Sequence, residues 1–115
     1  MQPTLRRRIK ELVNDVFGNK PGVEKIKVDN QVASIVLQMV DSLPAREKAC
    51  VCLRYGLTER PKALGEIAVA VGKVENPNSP ITKARAGQML RRGLRMMRHP
   101  VRSERIRALM DALSS

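Results

Sequence analysis

The sequence is poor in aromatic residues, in histidine and in cysteine, and each shortage removes a class of function. Among 115 residues there is one phenylalanine, one tyrosine and no tryptophan. RRM-type and OB-type platforms bind nucleic acid by stacking bases on aromatic side chains, so neither fits this chain. One histidine (His99) and two cysteines (Cys50 and Cys52) are too few ligands for a structural zinc site. The two cysteines stand in an apolar run and read as reduced core thiols, which fits a cytoplasmic location. No apolar stretch approaches the roughly 20 residues of a membrane span, so no membrane partner is expected. The basic N-terminus lacks the apolar segment that would make it a signal peptide. No Ser/His/Asp, Cys/His or paired-carboxylate constellation stands at a recognisable spacing, so the reading is of a non-enzyme with no catalytic residue, cofactor or metal.

Acidic residues are also scarce, with 11 Asp and Glu against 22 Lys and Arg, for a net charge of +11. The excess is concentrated in two blocks. Between Thr82 and Arg107 nine basic residues face a single acid, Glu104, and Arg6, Arg7, Arg8 and Lys10 form the second block. Such blocks are either a solvated tail or an electrostatic footprint for phosphate.

Periodicity argues against a tail for the longer block. At 100° per residue, Ala86, Met89, Leu90, Gly93, Leu94 and Met97 share one arc of a helix, while Gln88, Arg91, Arg92, Arg95 and Arg98 share the opposite one. Thr82 is a suitable N-cap and Pro100 limits continuation past His99. A last helix is expected from about Ser103, as its cap, to Leu113, with Ile106, Leu109, Met110 and Leu113 apolar.

The rest of the chain reads as helices too. Thr4 to Phe17 carries Leu5, Ile9, Leu12, Val13 and Val16 at helical spacing, and residues 18–29 read as a loop or linker. Val32, Ile35, Val36, Met39, Val40 and Leu43 mark a helix from about Asn30, and Pro44 suits the first position of the next, which ends at Gly56. A short helix, about Leu64 to Val71, is expected to stop at Gly72 before the turn-rich run KVENPNSP, residues 73–80. A short helix, a turn and a basic helix fit a helix-turn-helix, whose second helix enters the DNA major groove. An ordinary helical bundle with a basic face fits the same pattern.

The stretch LPAREKACVCLRYGL, Leu43 to Leu57, resembles the start of region 4 of the bacterial primary sigma factors. QMLRRGLRMMRHPVRSERIR, Gln88 to Arg107, resembles the end of that region, and LGEIAVAVG between them resembles the first helix of its helix-turn-helix. The likeness covers about residues 30–113 and divides the chain into an N-terminal helix and linker, 1–29, and a region-4-like domain, 30–115. It implies an all-α, compact helical bundle containing a helix-turn-helix, to which this chain adds an extended turn over 73–80, where the family has a tight connection, and an extra N-terminal helix with no counterpart in the family. It further implies a module that reads double-stranded promoter DNA at the upstream element and docks on the beta flap of core RNA polymerase. By position, Lys83, Arg85 and Gln88 would face bases or nearby phosphates. Arg46, Arg54, Arg92 and Arg98 match basic positions at the backbone, Leu64 opens the supporting helix near a phosphate, and Arg91 belongs to the same basic run. Gln pairs bidentately with adenine, and Arg or Lys with guanine.

The departures matter equally. Where the family begins its recognition helix Thr-Arg-Glu-Arg-Ile-Arg-Gln, this chain has Thr82-Lys83-Ala84-Arg85-Ala86-Gly87-Gln88. An acceptor for cytosine has become Ala84 and an arginine has become Gly87, so reading of the standard hexamer is not expected. The regions that bind core enzyme tightly and open DNA do not fit in this length, so a self-sufficient initiation factor is not expected either. Three roles remain open: a sigma-like subunit working with a second protein, a replacement occupying the flap, or an accessory phage or mobile-element regulator. The last includes an inhibitor or antitermination-type factor without promoter readout. The expected location is the bacterial cytoplasm, at the nucleoid, or the host cytoplasm for a phage protein.

Overall fold

Pro3 opens the first helix, α1 (Pro3–Phe17), where its missing N–H costs nothing. The structure, a computed structural model, describes residues 1–75 and 81–115, with side chains of 1–72 and 81–115. Ile9, Leu12, Val13, Val16 and Phe17 of α1 are buried, and Gly18 ends the helix at φ +55°.

Residues 18–29 are a packed strap around a 3-10 turn, Val23–Lys25, rather than a solvated linker. Val23, Ile26 and Val28 are buried. Lys10 of α1 donates to the carbonyls of Val23 (2.9 Å) and Ile26 (2.8 Å), and burial lowers its pKa from the ordinary lysine value.

The Asp29 carboxylate caps α2 (Asn30–Asp41) by accepting from the Val32 N–H at 2.8 Å. This helix buries Val32, Ala33, Ile35, Val36, Met39 and Val40. α3 (Ala45–Tyr55) starts one residue later than expected, because Pro44 has a helical φ of −55° but an extended ψ of 151° and so serves as the N-cap. Gly56 ends α3 in the left-handed region, φ +66°.

α4 (Leu64–Glu75) does not stop at Gly72 but runs three residues further. An interior glycine costs about 1 kcal/mol relative to alanine, too little to end a helix already anchored by buried Ile67, Ala68 and Val71. The extended turn expected over 73–80 is thereby shortened, and its remainder, 76–80, lies outside the described residues.

α5 (Lys83–Arg98) begins at the Thr82 cap, whose hydroxyl accepts from the Arg85 N–H at 3.0 Å. α6 (Pro100–Ser114) begins three residues before the position expected, because Pro100 initiates it and the His99 Nδ1 accepts from the Val101 N–H at 3.2 Å. Ser103 is accordingly not a cap. It lies fully buried inside α6, its hydroxyl within reach of the carbonyls of Arg98 (3.0 Å) and His99 (2.9 Å).

The described residues form six α-helices and no strand. α3, α4 and α5 pack on one another, α1 packs on α2, α3 and α5, and α6 closes the other side on α2, α5 and the strap. One continuous aliphatic and Met-containing core joins residues from every helix, including Met39, Met89, Met97 and Met110. No helix among the described residues is long and apolar enough to cross a membrane.

Candidate nucleic-acid interface

Six of the sixteen residues of α5 are Lys or Arg and none is acidic. The apolar arc turns inward: Ala86, Met89, Leu90 and Met97 are buried and Leu94 is half-buried. Lys83, Arg85, Gln88, Arg91, Arg92, Arg95 and Arg98 are all exposed. Burial of the aliphatic stripe therefore fixes which way the cations point.

Of the two glycines of α5, Gly93 marks a close approach and Gly87 an ordinary contact. A Cβ on Gly93 would sit 3.0 Å from Val51 Cγ2 and 3.4 Å from the Glu47 carbonyl oxygen, so α5 meets the backbone of α3 there. A Cβ on Gly87 would sit 3.8 Å from Leu64 Cδ1 and 3.4 Å from Arg91 Nη1. Gly87 thus faces the first turn of α4, and the Arg91 guanidinium lies back over it.

The expected site residues separate into groups. Lys83, Arg85 and Gln88 occupy the first two turns, with Arg85 Nη1 3.4 Å from Gln88 Oε1. Arg92 Nε lies 3.9 Å from Oε1 of the buried Glu47, which follows Arg46 at the start of α3. Arg54, eight residues further along α3 and so about 12 Å along its axis, donates to the Lys62 carbonyl at 3.3 Å. Arg98 ends α5 about 22 Å from Lys83 at 1.5 Å per residue, too far to serve the same phosphates. Leu64 is half-buried at the head of α4. There Glu66 accepts from Arg60 (2.7 Å) and from the Ala63 N–H (3.4 Å), which holds its carboxyl below the usual range. A phosphate at this helix end would have to compete with that carboxylate.

Charge counting missed which cations are structural. Arg107 donates to Ser103 Oγ (2.6 Å) and to the Arg98 carbonyl (2.5 Å), with its guanidinium 5.8 Å above the Phe17 ring. Arg8 donates to the carbonyls of Gly56 (3.0 Å) and Glu59 (3.1 Å). Glu47 was not singled out, although a carboxylate three residues after Pro44 in a helix that otherwise turns apolar residues inward was its available signal.

Cys50 is buried and Cys52 half-buried, and burial pushes the Cys52 thiol above its ordinary pKa. Away from α5, an open groove of about 810 Å³ runs between α1, α2 and the end of α3, with Met1, Leu5, Ala33, Leu37, Cys52 and Leu57 among its walls. No protein-family model matches the chain, and no solved structure is significantly similar to it.

Proposed function

We propose that this chain is a sigma-like, DNA-binding transcription factor that docks on bacterial RNA polymerase at the beta flap and directs or modulates promoter recognition, alone or beside a second sigma-like subunit. The observation that carries this reading is α5: six cations, no acid, every cation exposed on the side away from the buried stripe. In this reading α4 and α5 are the helix-turn-helix pair and α5 enters the major groove. Lys83, Arg85 and Gln88 face base edges from the first two turns, while Arg91, Arg92 and Arg46 hold phosphates beside them. Arg54 and Arg98 reach outlying phosphates, and Leu64 packs the head of α4 against Gly87. The groove at α1, α2 and α3 supplies an apolar surface for polymerase.

A second reading is favoured by Ala84 and by the guanidinium of Arg91 lying over Gly87. Both reduce what the first turns of α5 can read. The chain would then bind polymerase or sigma as a phage or mobile-element inhibitor or antitermination-type factor without promoter readout.

Duplex binding at a series of salt concentrations separates the two. If Lys83, Arg85, Arg91 and Arg92 contact phosphate, log K falls against log salt with a slope near −3.6, about 0.9 for each of about four contacts. Gln88→Ala would then cost about 1–3 kcal/mol at one base pair and nothing on unrelated duplexes. A flat salt response would sink the phosphate contacts, and equal loss on all duplexes for Gln88→Ala would sink base readout.

A further inference from the structure

α6 carries the most exposed large apolar side chain of the described residues, Val101, at 78% exposure. It borders a groove of about 370 Å³ between α2 and α6, lined by Ile35, Gln38, Met39, Ser42, Arg102 and Arg105 beside it. Ile35 and Met39 are buried and form the floor. Among the described residues, no acidic side chain lines this groove.

Both arginines are held in place by neutral partners, one on α2 and one at the residue that caps its C-terminal end. Arg102 donates through Nε to Ser42 Oγ at 3.2 Å, and Arg105 through Nη1 to Gln38 Oε1 at 2.9 Å. Each guanidinium has five N–H donors and spends one here on a neutral oxygen, so its charge stays uncompensated by these contacts while its direction is set. Val101 and Arg105 are one helical turn apart on α6 and therefore lie on one face.

From this arrangement we infer that the α2–α6 groove is a docking surface for a protein segment that presents carboxylates beside an aliphatic side chain. The carboxylates pair with Arg102 and Arg105, and the aliphatic group covers Val101. Charge complementarity selects the acid, and Val101 distinguishes such a segment from a phosphate backbone, which has no aliphatic group to set against it. None of the groove residues belongs to α5, but Val101 and Arg102 also border a second groove with Arg92 and Arg95 of that helix, so Gln38 and Arg105 are the positions that report on this surface alone.

The test is a titration of the isotope-labelled full chain, followed by amide NMR, with three probes: a peptide of alternating Glu and Leu, an oligo-glutamate, and a short DNA duplex. The Glu-Leu peptide is expected to shift the resonances of Gln38, Val101 and Arg105. Val101→Ser, at an exposed position, should weaken the Glu-Leu peptide about fivefold and leave oligo-glutamate and duplex unchanged. Arg105→Gln should weaken both peptides and spare the duplex. The inference is overturned if the Glu-Leu peptide does not bind at millimolar concentration, if its shifts run along α5 with Val101→Ser silent, or if Arg105→Gln weakens the duplex as much as the peptides. The duplex arm reports separately on α5, so failure of the docking surface and failure of DNA binding give different results.

Discussion

Arg92 Nε lies 3.9 Å from Oε1 of Glu47, joining an exposed cation of α5 to a carboxylate that is only 5% exposed on α3. The pair sits beside Gly93, where a Cβ would stand 3.4 Å from the Glu47 carbonyl oxygen, so this cation of α5 lies against the start of α3. With Arg92 itself 60% exposed, solvent screens the pair, and Arg92→Ala is expected to cost less than about 1 kcal/mol of stability. Its effect on DNA should be larger and uniform. Anisotropy titrations should show weaker binding to every duplex and a salt slope reduced by about one. Loss confined to particular sequences would mean that Arg92 reads bases instead.

Gly22 allows the strap to pass under α6. Its φ is +91°, and a Cβ there would stand 2.3 Å from the Met110 carbonyl oxygen. Gly22→Ala therefore combines backbone strain with a clash against main chain, and destabilisation of more than about 1 kcal/mol is expected. Thermal melting should show a clearly lower midpoint, whereas an unchanged midpoint would mean that the strap is not packed on α6 as described.

Ser103 joins α5 to α6 from inside the core. Its hydroxyl meets the carbonyls of Arg98 and His99 and accepts from Arg107 Nε at 2.6 Å. Ser103→Ala leaves these partners without it, at an expected cost of about 1–3 kcal/mol. Urea denaturation measures this directly, and a midpoint equal to that of the wild type would contradict it.

Alkaline stability should depend on Tyr55. Burial, followed by its hydrogen bond to Asp15 at 2.7 Å, raises the phenol above its ordinary pKa. A raised pKa means that the folded state holds the proton more tightly. The stabilisation is therefore complete below the usual tyrosine value of about 10 and is lost as pH rises beyond it. Tyr55→Phe should lower stability near neutral pH and flatten the alkaline decline, as read from denaturation midpoints across pH. Parallel curves for the two proteins would exclude Tyr55 as the source.

The faces of α5 were legible in the sequence because aliphatic residues and cations alternate at a clean 3.6-residue period, and the apolar stripe of α2 recurs at the same period among neutral polar residues. What escaped depends on contacts between distant residues. Val23, Ile26 and Val28 stand among glycine, proline and lysine with no helical period, and only their packing shows that the strap belongs to the core. Ser103 has the chemistry of a cap and is used instead as a buried bridge, because Pro100 starts the helix earlier. Arg8 and Arg107 count equally with Arg91 in any sum of charge, yet they bind main-chain carbonyls. Only the fold divides structural from solvent-facing cations.

In the proposed reading α5 presents its cations and Gln88 to promoter DNA while the chain is bound to polymerase. The experiment is co-purification with core RNA polymerase, followed by footprinting on promoter fragments with and without that polymerase. The expected result is association with polymerase and protection upstream of start sites, with the protected sequences altered by Gln88→Ala. Failure to associate with polymerase, together with equal affinity for all duplexes, would contradict it.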